Sequence, residues 1–357
     1  VKARSTLSFG TLPSALAKAQ TQQVIHRLQA ALPRIMCQVI IVPAPEPREC
    51  KQKEPYLAAS AREVEYLEEQ LLANEFQLMV QRAADLVLPL RAGLIFAAIP
   101  ERNTPFDALL NREGLIADEL PDGATVGVLN LRTKVQMQAL WPRLRIRQLA
   151  GGVDCALELF LRRSEVDALV IPAAVAEHLG IQGIVSEIFY PEMMLPSSGQ
   201  GILAVLSRDK DKEALALLSA VHSEASFYEM EAEHAFLQRF ASDQDLPVSA
   251  LAQVEHGQLR MTGAIGSVHG PSLNRLTHEG PAAEAVAIGT ELAEKLLLSS
   301  DAVINLLEAD FPDGLPQPSQ EDPLLDELEE NLDEDRESEL NEDYLDELAD
   351  DELPENP

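Results

Sequence analysis

The 357-residue chain has ordinary globular proportions, 46% hydrophobic and 24% charged, enough for two or three domains with sizeable cores. Its net charge of -31 disfavours a non-specific grip on nucleic acid, which as a polyanion would be repelled. No apolar run approaches the roughly 20 residues of a membrane span, and the opening "VKARSTLSFGTLPSALAKAQ" lacks a signal-peptide core, so a cytoplasmic protein away from membranes is expected.

In chain order, strand-like "STLSFGT" leads into "LPSALAKAQTQQVIHRLQAALP", whose apolar residues recur every three or four positions as on one buried helix face. "CQVIIVPA" reads as a buried strand, "PAPEPRECKQKEP" as a surface loop and "AREVEYLEEQLLANE" as a helix. From "AGLIFAAIPERNTPFDALL" the rhythm repeats through "ATVGVLN", "LRTKVQMQALWP", "LRIRQLAG", "VDCALELFLRRSEV" and "DALVIPAAVAEHLG". "GQGILAVLS" fits a strand returning to the first unit, "SFYEMEAEHAFLQRF" opens a further helical unit, and "PAAEAVAIGTELAEKLLLS" closes it. Strands alternating with helices argue for parallel or mixed sheets with helices on their faces.

The expected fold is α/β: two periplasmic-binding-protein-like domains around a cleft, a small third α/β domain and an acidic C-terminal tail. The expected boundaries are 5–95 with a returning segment at 200–217, then 100–193, then 222–300, with the tail at 308–357. Residues 321–357 hold 19 of the 59 acidic residues against Arg336 alone, a net charge of -18. Such a segment cannot offset its ordering entropy and self-repulsion, so it is expected to be disordered when free and to suit a basic protein partner.

Cys37, Cys50 and Cys155 are an odd number at no metal-like spacing, so free buried thiols are expected rather than a disulfide framework or a metal site. The seven histidines are scattered and form no motif.

Six phrases in order, "FGTLPSALAKAQ", "AAIPERNTPFDALL", "LPDGATVGVLNLRTKVQMQALWPRLRIRQLAGGVD", "EMMLPSSGQGILAV", "MEAEHAFL" and "GPAAEAVAIGTELAEKLL", resemble porphobilinogen deaminase, also called hydroxymethylbilane synthase, from about residue 5 to 300. The resemblance implies an enzyme that joins four porphobilinogens into a linear tetrapyrrole, with ammonia released each time. The chain grows on a dipyrromethane cofactor thioether-linked to the cysteine of a Gly-Gly-Cys-x-x-Pro loop. Matched on Pro247, that loop reads "SDQDLP" here, with Gln244 at the cysteine. A carboxamide is no nucleophile for that bond, so no covalent cofactor is expected.

The resemblance places Asp85 at the family's catalytic aspartate and leaves Thr11, Ser14, Arg132 and Gly151 as remnants of a cleft for substrate and cofactor. Guanidinium forks would grip carboxylates there, but Leu12, Ala150 and Ala156 stand where the family has arginines, and Ala84 where it has lysine. Cys155, beside that cleft, offers a displaced thiol as an alternative anchor, against the plainer reading of a small helix residue turned inward. Two functions stay open: a degenerate deaminase homologue of tetrapyrrole biosynthesis, or a non-catalytic protein using the cleft for a small anionic ligand and the tail for a partner. The body is expected to be monomeric.

Overall fold

The computed structural model describes residues 6–43, 56–86, 88–240, 247–266 and 273–310. Gln244 and nearly all of the acidic tail lie outside those residues. The chain divides into two units, Val1–Ala302 and Val303–Pro357; of the second, residues 303–310 are described and are helical. Every described strand belongs to the first unit.

Strand β1 (Thr6–Thr11) feeds helix α1 (Ala15–Ala31), followed by β2 (Met36–Ile41), α2 (Tyr56–Leu72), β3 (Leu78–Arg82) and β4 (Leu94–Ala98). Next come β5 (Asp107–Asn111), β6 (Thr125–Val128), α3 (Leu131–Leu140), β7 (Arg145–Gln148), α4 (Gly152–Leu161), β8 (Ala168–Pro172), α5 (Ala173–Leu179) and β9 (Val185–Phe189). Then β10 (Leu203–Arg208) and α6 (Lys212–Leu218) precede α7 (Glu224–Gln238), β11 (Val248–Glu255), β12 (Gln258–Gly266), β13 (Leu273–Pro281) and α8 (Ala285–Asp310).

The first sheet has the order β2-β1-β3-β10-β4 and the second β7-β6-β8-β5-β9. Each is parallel through its first three strands, and the fourth strand runs antiparallel to both its neighbours. The two are therefore topological copies that each receive a strand from beyond a crossover: β5 enters the second sheet and β10 returns to the first. These are two mixed α/β lobes of like topology with a cleft between them. Strands β5 and β8 are buried on both faces, as sheets covered by helices on either side require.

A third sheet, β11-β12-β13, is antiparallel throughout and packs on α7 and α8 over its own core of Phe236, Phe240, Met261, Ile288, Leu292 and Leu296. It meets the lobes through apolar contacts, Met230 of α7 on Ala83 and Ile202 and Leu251 of β11 on Leu195, and through a buried polar cluster. Arg102, in the crossover from β4 to β5, reaches Glu233 of α7 with Nη1 to Oε1 at 2.7 Å and Nη2 to Oε2 at 3.2 Å. Glu233 is fully buried and also accepts from the backbone N–H of Gly199, in the other crossover, at 2.5 Å and of Ala252 in β11 at 2.8 Å. Arg102 completes its own set by donating Nε to the Gln200 carbonyl at 2.9 Å. Four hydrogen bonds onto one carboxylate offset the cost of taking it out of water.

Among the described residues, no helix is long and apolar enough to cross a membrane, and no group of three or more His, Cys, Asp or Glu could hold a metal ion.

Glu233→Gln removes the nearer of two carboxylates beside buried Arg102, leaving Glu229 at 3.7 Å, and is expected to lower unfolding free energy by up to about 3 kcal/mol. Glu158→Gln, which breaks an exposed pair with Arg163, should cost under about 1 kcal/mol. Urea denaturation midpoints check both. His234 of α7 bonds the Ala83 carbonyl through Nε2 at 2.9 Å, and burial holds its imidazole below the ordinary value. The folded state thus binds fewer protons than the unfolded one, and His234 contributes stability above about pH 6.5 that is lost as pH falls. His234→Gln should therefore lose less stability than the parent between about pH 7 and pH 5.5, measured by the same denaturation.

Candidate functional site

The cleft opens where β1 and β3 end. Thr11 ends β1 and Leu12 follows it, and the chain then starts α1, with Ser14 accepting the Ala17 N–H at 3.1 Å as its N-cap. Gly10 is required just before this because Phe76 packs flat on its α-carbon, where any β-carbon would overlap the ring. From β3 come Val80, Gln81 and Arg82, then the turn Ala83–Asp85. Helix α2 adds Glu63, Val64 and Leu67, and the first turn of α4, across the cleft, adds Val153 and Asp154. The cavity is open to solvent and small, about 60 Å³, below the usual range for small-ligand pockets.

Asp85 is fixed from several sides. Arg82 reaches its Oδ2 with Nε at 2.7 Å and Nη2 at 2.5 Å, and the two side chains are 19% and 10% exposed. Behind it, the Ala83 N–H donates to the Ile202 carbonyl at 2.9 Å, and Gly199, at φ +75°, sits so close to the Ala84 amide that a β-carbon would lie 2.7 Å from it. The turn thus leans on the second crossover and, through His234, on α7.

Thr11, Ser14 and Asp85 are brought together in this cleft. Gly151, at φ +81°, caps α4 and aims its first turn at the cleft without lining it. Arg132 departs from expectation. It is 5% exposed, pairs with Asp107 Oδ2 at 2.8 Å, donates to the Leu195 carbonyl at 2.5 Å and is absent from the cleft lining. Its position on α3 faces the base of β5, so its charge serves the packing of the second lobe. Gln244 lies outside the described residues.

Cys155 corrects two expectations. It is 1% exposed in α4, turned inward as the plainer reading had it, yet it is disulfide-bonded rather than free. A half-cystine has no thiol to anchor a tetrapyrrole, so the displaced-thiol route is withdrawn, and the odd cysteine count misled about disulfides. Its partner lies outside the described residues. Cys37 is free, sits in β2 against the core of the first lobe, and burial pushes its thiol up from the ordinary value.

Three polar cleft residues escaped the sequence reading. Gln20 interrupts the buried stripe of α1 between Leu16 and Val24, four positions from each, and a lone carboxamide on an apolar stripe is the signal that could have found it. Gln81, on β3, lines the cleft, and so does Asp154 in the first turn of α4, where the positive end of the helix dipole favours a carboxylate.

Under denaturing, non-reducing conditions, iodoacetamide is expected to tag Cys37 and to leave Cys155 unmodified until reductant is added, as read by peptide mass mapping.

Among known proteins, residues 7–216 match the family model described as porphobilinogen deaminase, dipyromethane cofactor binding domain, and residues 227–298 match porphobilinogen deaminase, C-terminal domain. A porphobilinogen deaminase of Roseiflexus sp. (strain RS-1) is 35% identical over 294 residues, covering 82% of this chain and 96% of that protein. One from Thermus thermophilus is 35% identical over 289 residues, covering 81% of this chain and 94% of its own. The crystal structure of the methionine-binding protein MetQ overlays on 63% of this chain and 93% of its own at 16% identity and a TM-score of 0.37, too loose a likeness to carry an argument. Both halves of the described body are thus accounted for by one set of relatives, and the chain belongs to the porphobilinogen deaminase family.

Proposed function

We propose that this chain keeps the porphobilinogen deaminase scaffold without its polymerisation chemistry and works as a non-covalent binding protein through the cleft. The observation that carries the reading is the cleft's inventory. The described residues lining it include no thiol and a single guanidinium, Arg82, already paired with Asp85.

The family's dipyrromethane group is built from two porphobilinogen units and carries four carboxylates. The described lining does not fit it: its one guanidinium, Arg82, is already held by Asp85, which leaves no other described lining cation to meet four carboxylates. Leu12 lines the cleft where the family has an arginine, and Ala156 is fully buried in the second lobe's core. In the sequence Gln244 occupies the attachment position, and a carboxamide cannot form the thioether. Asp85 retains the position of the family's catalytic aspartate, but without an anchored chain it has no growing substrate to act on.

Protein purified from cells that make porphobilinogen should have the mass of its bare polypeptide and give no colour with an acidic aldehyde reagent. Incubation with porphobilinogen should release no ammonia. Gln244→Cys alone should not restore turnover, because the missing guanidiniums together raise the barrier well beyond the roughly 1.4 kcal/mol that costs tenfold. A mass increment of two linked pyrroles, or tetrapyrrole formed by the parent chain, would overturn the reading.

A further inference from the structure

The second sheet ends on one side at β7, and no strand stands beyond it among the described residues. On the inner side the Arg145 N–H donates to the Ala124 carbonyl at 2.9 Å and the Leu149 N–H to the Val128 carbonyl at 2.8 Å. Backbone groups along a strand point alternately to its two sides, so the N–H and C=O of Ile146 and Gln148 are turned away from the sheet.

The side chains alternate as well. Ile146 packs into the second lobe's core beside Met137 and Trp141, which sends Arg145 and Arg147 to the opposite face, where both are exposed. Arg147 lies 3.3 Å from Glu165 in a pair that is 51% and 36% exposed, a contact that water screens and a competing carboxylate can replace. No described carboxylate pairs with Arg145. On the Ile146 face, Leu140 ends α3 and is left 42% exposed.

The fold itself does not demand these arginines. The equivalent edge of the first sheet, β2, reads Met-Cys-Gln-Val-Ile-Ile and carries no charge. In a chain of net charge -31, two exposed guanidiniums two residues apart on one open edge are a local reversal of sign. Charged side chains on an edge strand deter pairing with another copy of that strand. Here the same charges that exclude a second β7 complement an acidic strand, so exclusion and attraction select the same kind of occupant.

We infer that β7 is a docking edge for an extended acidic segment of a partner protein, which joins the second sheet by strand addition. Its main chain takes the outward N–H and C=O groups of Ile146 and Gln148. Two carboxylates, two residues apart, reach Arg145 and Arg147, and the apolar side chain between them falls on the opposite face, toward Ile146 and Leu140. None of these residues lines the cleft, so the inference stands apart from any ligand bound there.

The test uses the full chain at physiological ionic strength and fluorescein-labelled peptides read by anisotropy: Ser-Glu-Val-Glu-Val-Glu-Ser, its isomer Ser-Glu-Glu-Glu-Val-Val-Ser, and the first peptide with its core amides N-methylated. The alternating peptide should bind saturably and at least tenfold more tightly than either control. Arg145→Glu combined with Arg147→Glu should weaken it at least tenfold without lowering the melting temperature, since both side chains are exposed. Gln148→Pro removes one outward N–H and no ladder bond, and should weaken it several-fold. If the double variant does not fold, Arg145→Ala should still weaken the peptide at least threefold. Equal binding of either control, which would mean charge attraction alone, overturns the inference. So does binding that the Arg145 and Arg147 substitutions leave unchanged, displacement of the peptide by a single-stranded oligonucleotide at lower concentration than by unlabelled peptide, or no saturable binding of the alternating peptide.

Discussion

The body of this protein is organised around one buried ion pair. Arg102 and Glu233 belong to different sheets' territory, 131 residues apart, and between them they collect the two crossovers, α7 and β11. Without Glu233 the Gly199 and Ala252 amides would lose their acceptor, and the Arg102 guanidinium would keep only the more distant Glu229 and the Gln200 and Ala252 carbonyls. A buried pair of this kind adds little net stability over a well-packed apolar substitute, but a half-removed one is severely penalised. The constraint is therefore one of specificity: it fixes where the third sheet sits against both crossovers. Glu229, 3.7 Å from Arg102, belongs to the same cluster, and burial pushes its carboxyl up from the ordinary value.

That fixed junction explains how the cleft residues meet. Asp85 sits on a turn pressed by Gly199 and bonded by His234, so the position of its carboxylate depends on the same crossover and helix that Glu233 ties together. Thr11 and Gln81 lie toward the ends of neighbouring strands of the first sheet, where open α/β sheets place their ligands. Sequence separation between them is 70 residues, yet the parallel pairing of β1 and β3 makes them neighbours.

How far the sequence discloses this differs by residue. The strand and helix pattern is local, written in apolar spacing, and so β1, α1 and α4 fall where the periodicity puts them, whereas β2, read as buried from its apolar run, is the mostly exposed edge of the first sheet, because apolar content does not say which strand ends a sheet. Thr11, Ser14 and Asp85, which the family phrases mark, line one cleft. Arg132 was misjudged because an arginine's charge says nothing about its partner: Asp107 lies 25 residues earlier, and only the folded sheet brings the two to 2.8 Å. Arg102 and Glu233 have no local signature at all, since each looks like an ordinary surface charge in its own window. Cys155 misled by arithmetic, as three cysteines permit one bridge as readily as none.

The closeness of the two crossovers has a mechanical consequence. Gly201, at φ +82°, presses on the Asn103 carbonyl with no room for a β-carbon, so the two connecting strands touch as they pass. The lobes meet a second time where α1 packs on α5, His178 Nε2 lying 2.7 Å from Gln23 Oε1 and Leu16 entering the core of the second lobe. The cleft between Asp85 and Asp154 is thus framed by two separate seams, one of backbone and one of side chains.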